Sequence, residues 1–371
     1  MSKGKYLRKQ KVTVGKKAGR ILLVILLVLV ILIGAVGAFV WSKLSKITYD
    51  DGSLKETIPV VETQGDVSTD PTSYTETVPV ETEPAEGVDM EGLDMVVAPI
   101  LSNGELFKDK DVMNILLVGS DEFTEGFVDT SRGDVNILVS MNRKEKTVKL
   151  VSFSRGIAIQ MLDGPYKGKY DWLTNAHRWA GTSAVMQAFE ENFKIECNRY
   201  VRVNFHSVIR IVDEIGGVEL ELTQQEASFM NEVLGIGHLK EGINQVDGTT
   251  ACYYARLRGV DDDWYRMVRQ RKAIMAVVNK LKDSDLATLN SLCDMVMPLI
   301  KTNLSTMEIV ELMMYAPTFF KSEFDSMTIP IDNSYSGMTV MGGVGGWALN
   351  YEKNNAALHE FLFGAEEPDV G

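Results

Sequence analysis

The chain is short of the residues that build disulfide and metal frameworks, with 3 cysteines and 4 histidines in 371 residues. Cys197, Cys252 and Cys293 are odd in number and lack zinc-site spacing, so buried free thiols are the expected state. His177, His206, His238 and His359 are too scattered to suggest a zinc centre. No serine sits in a G-x-S-x-G elbow and no P-loop occurs, which leaves acyl hydrolases and nucleoside triphosphatases without motif support. Positive charge is also in deficit, at 38 Lys and Arg against 51 Asp and Glu, for a net charge of −13. Such a balance argues against nucleic acid as a partner.

What is present falls into unlike segments. Residues 1–20 carry eight Lys or Arg and no acid, and run directly into 21–41, a stretch without charge. At the rise of an α-helix that stretch spans about 30 Å, the thickness of a bilayer's hydrocarbon core. The basic flank belongs on the cytoplasmic side, so a single-pass type II membrane protein is expected, with everything after residue 41 outside the cell in a Gram-positive-type envelope. A cleaved signal peptide is the competing reading, since Gly34, Ala35, Gly37 and Ala38 supply small residues. The apolar run is nevertheless longer than a signal core of about 7–15 residues, and no clear A-x-A pattern follows it.

Residues 42–105 read as an acidic, Thr- and Pro-rich extracellular linker. Between positions 48 and 94 there are 13 Asp or Glu against one lysine, Lys55, and the phrase at 56–60 nearly repeats at 76–80. Like charge and proline keep such a tether extended. Residues 106–364 are left as one domain, long enough for a single large core.

Within that domain, apolar runs predict strands over 113–118, 135–141 and 147–153, the last two as a hairpin, with further strands at 200–204 and 218–222. Helices are expected over 182–193, 207–215, 248–254, 264–282, 286–300, 306–320 and 349–363, the second stopped by Gly216 and Gly217. Strands mixed with helices give an α/β (α+β) class, with a central mixed β-sheet flanked by helices.

The chemistry-bearing feature is the position of the arginines. Arg132, Arg155, Arg256, Arg258, Arg266, Arg269 and Arg271 lie near predicted element ends in an otherwise acidic domain. Guanidinium forks match phosphate oxygens, so a convergent set suits a phosphate or diphosphate group. Arg266, Arg269 and Gln270 share one helical face, and Arg256 and Arg258 project together if their segment is extended. Taken singly, each arginine is more often a surface residue paired with acids such as Asp261, Asp262 and Asp263. Asp121 and Asp134 end one predicted strand and begin the next. There they can place two hard oxygens on Mg2+, or serve equally well as turn or cap residues.

In order, these residues resemble the LytR-CpsA-Psr family of cell-wall glycopolymer ligases, from about residue 111 to 282 with a weaker tail. Asn114-Ile-Leu-Leu-Val-Gly-Ser-Asp121 is similar to the family's opening strand and first acid. Arg132-Gly-Asp134 stands where the family usually has Arg-Ser-Asp, and Val151-Ser-Phe-Ser-Arg155 where it has Ser-Ile-Pro-Arg-Asp. Asn175, Val212-Asp-Glu-Ile-Gly-Gly-Val218, Tyr254-Ala-Arg-Leu-Arg258 and Arg266-x-x-Arg269-Gln270-Arg271 complete the likeness. Two positions depart from it: Gly156 replaces an aspartate and Ser154 a proline.

The resemblance implies transfer of a glycopolymer from an undecaprenyl-pyrophosphate carrier to a peptidoglycan hydroxyl, giving a phosphodiester and prenyl monophosphate. It assigns Arg132, Arg155, Arg256, Arg258, Arg266, Arg269 and Gln270 to the pyrophosphate and Asp121 and Asp134 to Mg2+, with an apolar pocket for the prenyl tail between sheet and helices. Loss of the aspartate at 156 leaves a second reading, a carrier-lipid-binding envelope protein without turnover. Family members have also been labelled transcriptional regulators or attenuators, but a basic tail of 20 residues is too short for a helix-turn-helix.

Overall fold

A computed structural model of the chain describes residues 48–49, 106–162, 164–281, 297–305, 307–308, 311 and 324–364. The expected membrane span at 21–41, nearly all of the acidic linker, Cys293 and most of the helices expected over 286–300 and 306–320 lie outside these residues.

The chain first meets the sheet at β1 (Thr48–Tyr49), two residues from the stretch read as linker. The long strands follow: β2 (Val112–Ser120), β3 (Gly133–Asn142) and β4 (Thr147–Phe153) form an antiparallel meander. Alternate residues of these strands feed different cores. Leu116, Val118, Leu138 and Val151 pack on one face, and Ile115, Ile137, Val139 and Leu150 on the other. Burial on both faces is why the strands read as near-continuous apolar runs and were legible in the sequence.

After β4 come a small antiparallel pair, β5 (Ala158–Gln160) and β6 (Tyr170–Trp172), and then α1 (Leu173–Phe193). Helical periodicity had suggested a start at 182. The helix begins earlier and is broken at Ala180 and Gly181, with Gly181 at φ +73°, so the two halves present separate stripes. Strand β7 (Tyr200–Asn204) pairs in parallel with β2 and leads into α2 (Phe205–Glu214), whose N-cap Asn204 accepts from Ser207 N.

Gly216 and Gly217 stop α2 as expected. A β-carbon on Gly217 would fall 2.4 Å from Val246 O, so glycine is required where the chain turns into β8 (Val218–Leu222). The capped helix α3 (Gln224–Leu234) is followed by β9 (Gly242–Val246), paired with β8, and by α4 (Gly248–Arg256). Arg256 therefore closes a helix, and the extended segment expected to present Arg256 beside Arg258 begins only at Leu257, where ψ opens to 126°.

Helix α5 (Asp263–Leu281) starts where Asp262 Oδ1 accepts from Trp264 N and Tyr265 N. The end of the helix expected over 286–300 is a short 3-10 turn, Met297–Leu299, leading to β10 (Lys301–Thr302). Next come β11 (Phe324–Ile329), the antiparallel pair β12 (Tyr335–Thr339) and β13 (Gly345–Leu349), and α6 (Tyr351–Phe363). Leu349 ends a strand rather than opening the last helix, because Asn350 caps α6 by accepting from Lys353 N.

Among the described residues the central sheet is seven-stranded and mixed, in the order β1-β10-β7-β2-β3-β4-β11. Helices α1 and α6 cover one face through Phe189, Phe193, Leu358 and Leu362, while α2, α4 and α5 cover the other through Val212, Ala251, Tyr254 and Ala276. The α/β class with a central mixed sheet and flanking helices is therefore observed. Cys197 and Cys252 are buried free thiols, as expected.

Candidate active site

One backbone junction and two side-chain bonds build the centre of the site. The β2–β3 ladder shifts register at Gly119 and Ser120, and beyond it Asp121 N donates to Arg132 O at 3.1 Å. Arg132 N returns a bond to Asp121 Oδ1 at 2.7 Å, so Asp121 is fixed by the segment that delivers Asp134. Asp134 Oδ1 accepts from Thr174 Oγ1 at 3.0 Å and from Arg155 Nη1 at 3.3 Å.

The two carboxylates are driven apart electrostatically. Burial pushes Asp121 up, the Asp134 charge pushes it further, and it settles at about 6. Burial acts on Asp134 in the same sense, but Arg155, Arg266, Arg258 and Arg132 together outweigh it and hold Asp134 well below the usual carboxylate range. The charges of four arginines marked in the sequence thus act on one carboxylate, with Arg155 in direct contact. An acid raised by its neighbour's charge and flanked by a second, ionised one is a pair of oxygen donors suited to a divalent cation. Among the described residues no group of three or more His, Cys, Asp or Glu could hold a metal, so a cation here would need ligands from elsewhere, such as phosphate oxygens.

Arg155 lies just past β4, with Nε 3.7 Å from Asp263 Oδ1 and its guanidinium 5.8 Å from the Trp172 ring. Arg266, in the first turns of α5, donates from Nη2 to the same Asp263 oxygen at 2.7 Å, and its Nε is buried with no hydrogen-bond partner. Burial, then Arg155, depress its pKa. Arg256 stacks on Phe205 at 4.2 Å and Phe123 at 4.9 Å, a cation–π arrangement that aims it across the end of α4.

Arg269 is placed differently, although it shares α5 with Arg266. Its guanidinium is held by Asp261 at 2.5 and 2.7 Å, by Glu226 at 3.3 Å and by Leu257 O at 3.0 Å. Two acids from α3 and from the loop before α5 capture it, and it is not among the principal charges acting on Asp134. Arg271 turns to the sheet, donating to Ser152 Oγ at 2.6 Å and Thr328 Oγ1 at 3.3 Å, with burial lowering its pKa to about 10.

Beside the charged cluster is a cavity of about 190 Å3, bounded by β2, β3 and β7 on one side and α2, α4 and α5 on the other. Leu117, Val203, Val208, Ile211, Ala255 and Ile274 give it apolar walls, while Asp134, Arg256, Arg266 and Gln270 supply polar groups. A slot of this kind between sheet and helices is where the family resemblance places a lipid tail.

Sequence reasoning missed Thr174, although it adjoins the marked Asn175, and Asp263, which had been grouped with Asp261 and Asp262 as surface acids. It also missed the aromatic supports Trp172 and Phe205. Gly156 lies against Trp347: a β-carbon there would be 3.4 Å from the indole Cδ1 and Nε1, so the tryptophan borders the position where the resembled family has aspartate.

The LytR_cpsA_psr family model matches residues 67–357. The polyisoprenyl-teichoic acid–peptidoglycan teichoic acid transferase TagT of Bacillus subtilis (strain 168) is 31% identical over 208 residues, 55% of this chain and 63% of that protein. This chain therefore spans less than two thirds of that relative's length. The solved structure described as TagT bound to LIIa-WTA superposes with a TM-score of 0.54 at 25% identity, covering 70% of this chain and 96% of that one. A TagT structure with bound octaprenyl pyrophosphate lipid shares the fold, with a TM-score of 0.51 at 24% identity over 70% of this chain and 95% of that one.

Proposed function

The chain belongs to the LytR-CpsA-Psr family, and on that premise we propose that it is a phosphotransferase moving a glycopolymer from an undecaprenyl-pyrophosphate carrier to a hydroxyl of peptidoglycan. The observation that carries this reading is the apolar cavity whose polar groups belong to the arginine and Asp134 cluster. A prenyl diphosphate has the same two-part chemistry, an apolar tail on a charged head.

The prenyl tail enters the cavity, and Arg132, Arg155, Arg256, Arg258 and Arg266, with Gln270, hold the diphosphate oxygens. An acceptor hydroxyl attacks the phosphorus that bears the glycan. The new P–O bond forms as the bond to the prenyl phosphate breaks, and the prenyl phosphate leaves with that electron pair while the hydroxyl proton passes to solvent. Guanidinium groups already fixed around Asp134 stabilise the charge that develops. Asp121 and Asp134 would hold Mg2+, which when bound supplies neutralisation of the leaving phosphate. Arg269 serves this reading by fixing α5 to α3.

Residues 1–20 would remain in the cytoplasm, 21–41 would anchor the chain in the cell membrane, and 42–105 would tether the catalytic domain, 106–364, outside. The charge asymmetry across the apolar run supports this topology. The full chain supplied with Mg2+ and a prenyl-pyrophosphate-linked glycan should release prenyl monophosphate, and Asp134→Ala should abolish the release. If the chain neither transfers nor hydrolyses such a donor, the reading fails.

Gly156, packed under Trp347 without a carboxylate, favours a second reading in which the chain binds the carrier lipid without turnover. Lipid binding that survives Asp134→Ala, with no turnover by the parent chain, is its signature.

A further inference from the structure

Next to Arg155 lies a row of half-buried aromatic rings that the transfer chemistry does not use. Trp172 begins it, 5.8 Å from the Arg155 guanidinium, its Nε1 donating to Gly345 O at 2.9 Å. Trp347 follows on β13, held by its own N–H donating to Gly156 O at 2.8 Å. Tyr335 on β12 lies 5.3 Å from Trp347, and Trp264, on the first turn of α5, lies 5.5 Å from Tyr335. Asp263, which pairs with Arg155 and Arg266, is the residue beside Trp264. None of the four aromatic residues lines the apolar cavity.

We propose that Trp172, Trp347, Tyr335 and Trp264 form a stacking shelf for sugar rings of the acceptor, a peptidoglycan glycan strand. The proposal rests on the transferase reading above. A pyranose ring has a face of C–H bonds with partial positive charge and a rim of hydroxyls. Aromatic faces carry partial negative charge, so such a face stacks on them while the rim remains free for hydrogen bonds. Half-buried rings meet that need, with one part packed into the fold and another wet. The rim has acceptors too, because the charges of Asp332 and Asp262 act on the Tyr335 hydroxyl.

Position selects the acceptor over the donor's own polymer. Phosphoryl transfer requires the attacking oxygen and the leaving oxygen roughly in line. The leaving prenyl phosphate is directed by the cavity, and Arg155 joins the two regions, touching Asp134 of the cavity wall through one nitrogen and lying 5.8 Å over the Trp172 ring. A sugar stacked on the shelf brings its hydroxyl to the diphosphate from the side away from the tail.

The test is direct titration of the full chain with uncrosslinked glycan strands of alternating N-acetylglucosamine and N-acetylmuramic acid, without donor. Trp264→Leu and Tyr335→Leu should each raise the dissociation constant about tenfold, on the scale of aromatic stacking. Trp264→Phe and Tyr335→Phe, which keep a flat ring, should remain within about threefold of the parent. Leucine variants that bind like the parent, or phenylalanine variants that lose as much as the leucine ones, overturn the assignment. So does weakened affinity confined to the lipid-linked donor, which would give the shelf to the donor's polymer. Binding needs no turnover, so a chain that holds glycan through the shelf yet moves no donor sinks the transferase reading alone.

Discussion

Arg155 Nη1 donates to Asp134 Oδ1 across 3.3 Å, tying the segment just past β4 to the start of β3. The contact sets the angle from which a guanidinium fork would face the diphosphate of the proposed donor, and Thr174 completes it from α1 by donating to the same oxygen.

Arg155→Ala should lower the rate of prenyl monophosphate release by about 10²–10³-fold, the scale seen when one preorganised donor to developing charge is removed. Arg155→Lys should recover only part of this, because an ammonium lacks the planar fork. Steady-state release from a labelled donor measures both.

Asp121 gives a pH signature. Its folded pKa of about 6 lies above that of an exposed aspartate, so its contribution to stability is fully present below about pH 4 and is lost as pH rises through about 6. A cation binding the ionised pair competes with that proton. The rise in Tm produced by Mg2+ should therefore grow between about pH 5 and 7, and Asp121→Asn should flatten the dependence. Thermal unfolding with and without Mg2+ across that range checks it, and a shift that is independent of pH would remove Asp121 from the site.

Asp263 holds Arg266 at 2.7 Å and approaches Arg155 at 3.7 Å, an acid between two like charges. Asp263→Ala should cost about tenfold in kcat by loosening both forks, with a smaller change in affinity for prenyl pyrophosphate, whose phosphate can take the vacated place. Asp263→Glu should restore most of the rate, and a rate unaffected by the alanine change would show that the pair is merely local.

Ala255 faces the cavity from α4. Ala255→Trp should fill much of the slot and weaken binding of long prenyl pyrophosphates by about tenfold or more, while farnesyl pyrophosphate is affected less. Displacement assays with lipids of graded length read this out.

How much of this could be read from the chain alone depended on where each residue's partners come from. Strands β2, β3 and β4 were legible because burial on both faces leaves an uninterrupted apolar signature, and Asp121 and Asp134 because they punctuate those strands. Arg269 was not, since Asp261 and Glu226, which capture it, come from the loop before its helix and from α3. Spacing along α5 says nothing of either contact. Thr174 acquires its role only through tertiary contact with Asp134, and Asp263 through Arg155, although its pairing with Arg266 three residues on is local to α5. Strands β5, β6 and β10 escaped notice because two or three residues carry no period, and β9, β11, β12 and β13 because glycines or polar residues interrupt their apolar positions.

Helix α5 carries Trp264 at its start, Arg266 and Gln270 along one side, and Arg271, whose guanidinium is bolted to β4 and β11 through Ser152 and Thr328. On the proposed reading, sugar recognition, phosphate grip and the wall of the lipid slot would ride on one helical rod, held to the sheet by Arg271 and by the packing of Ala276. A change that tilts the rod retunes all three at once, so selection for a different carrier length would be felt in the choice of acceptor as well.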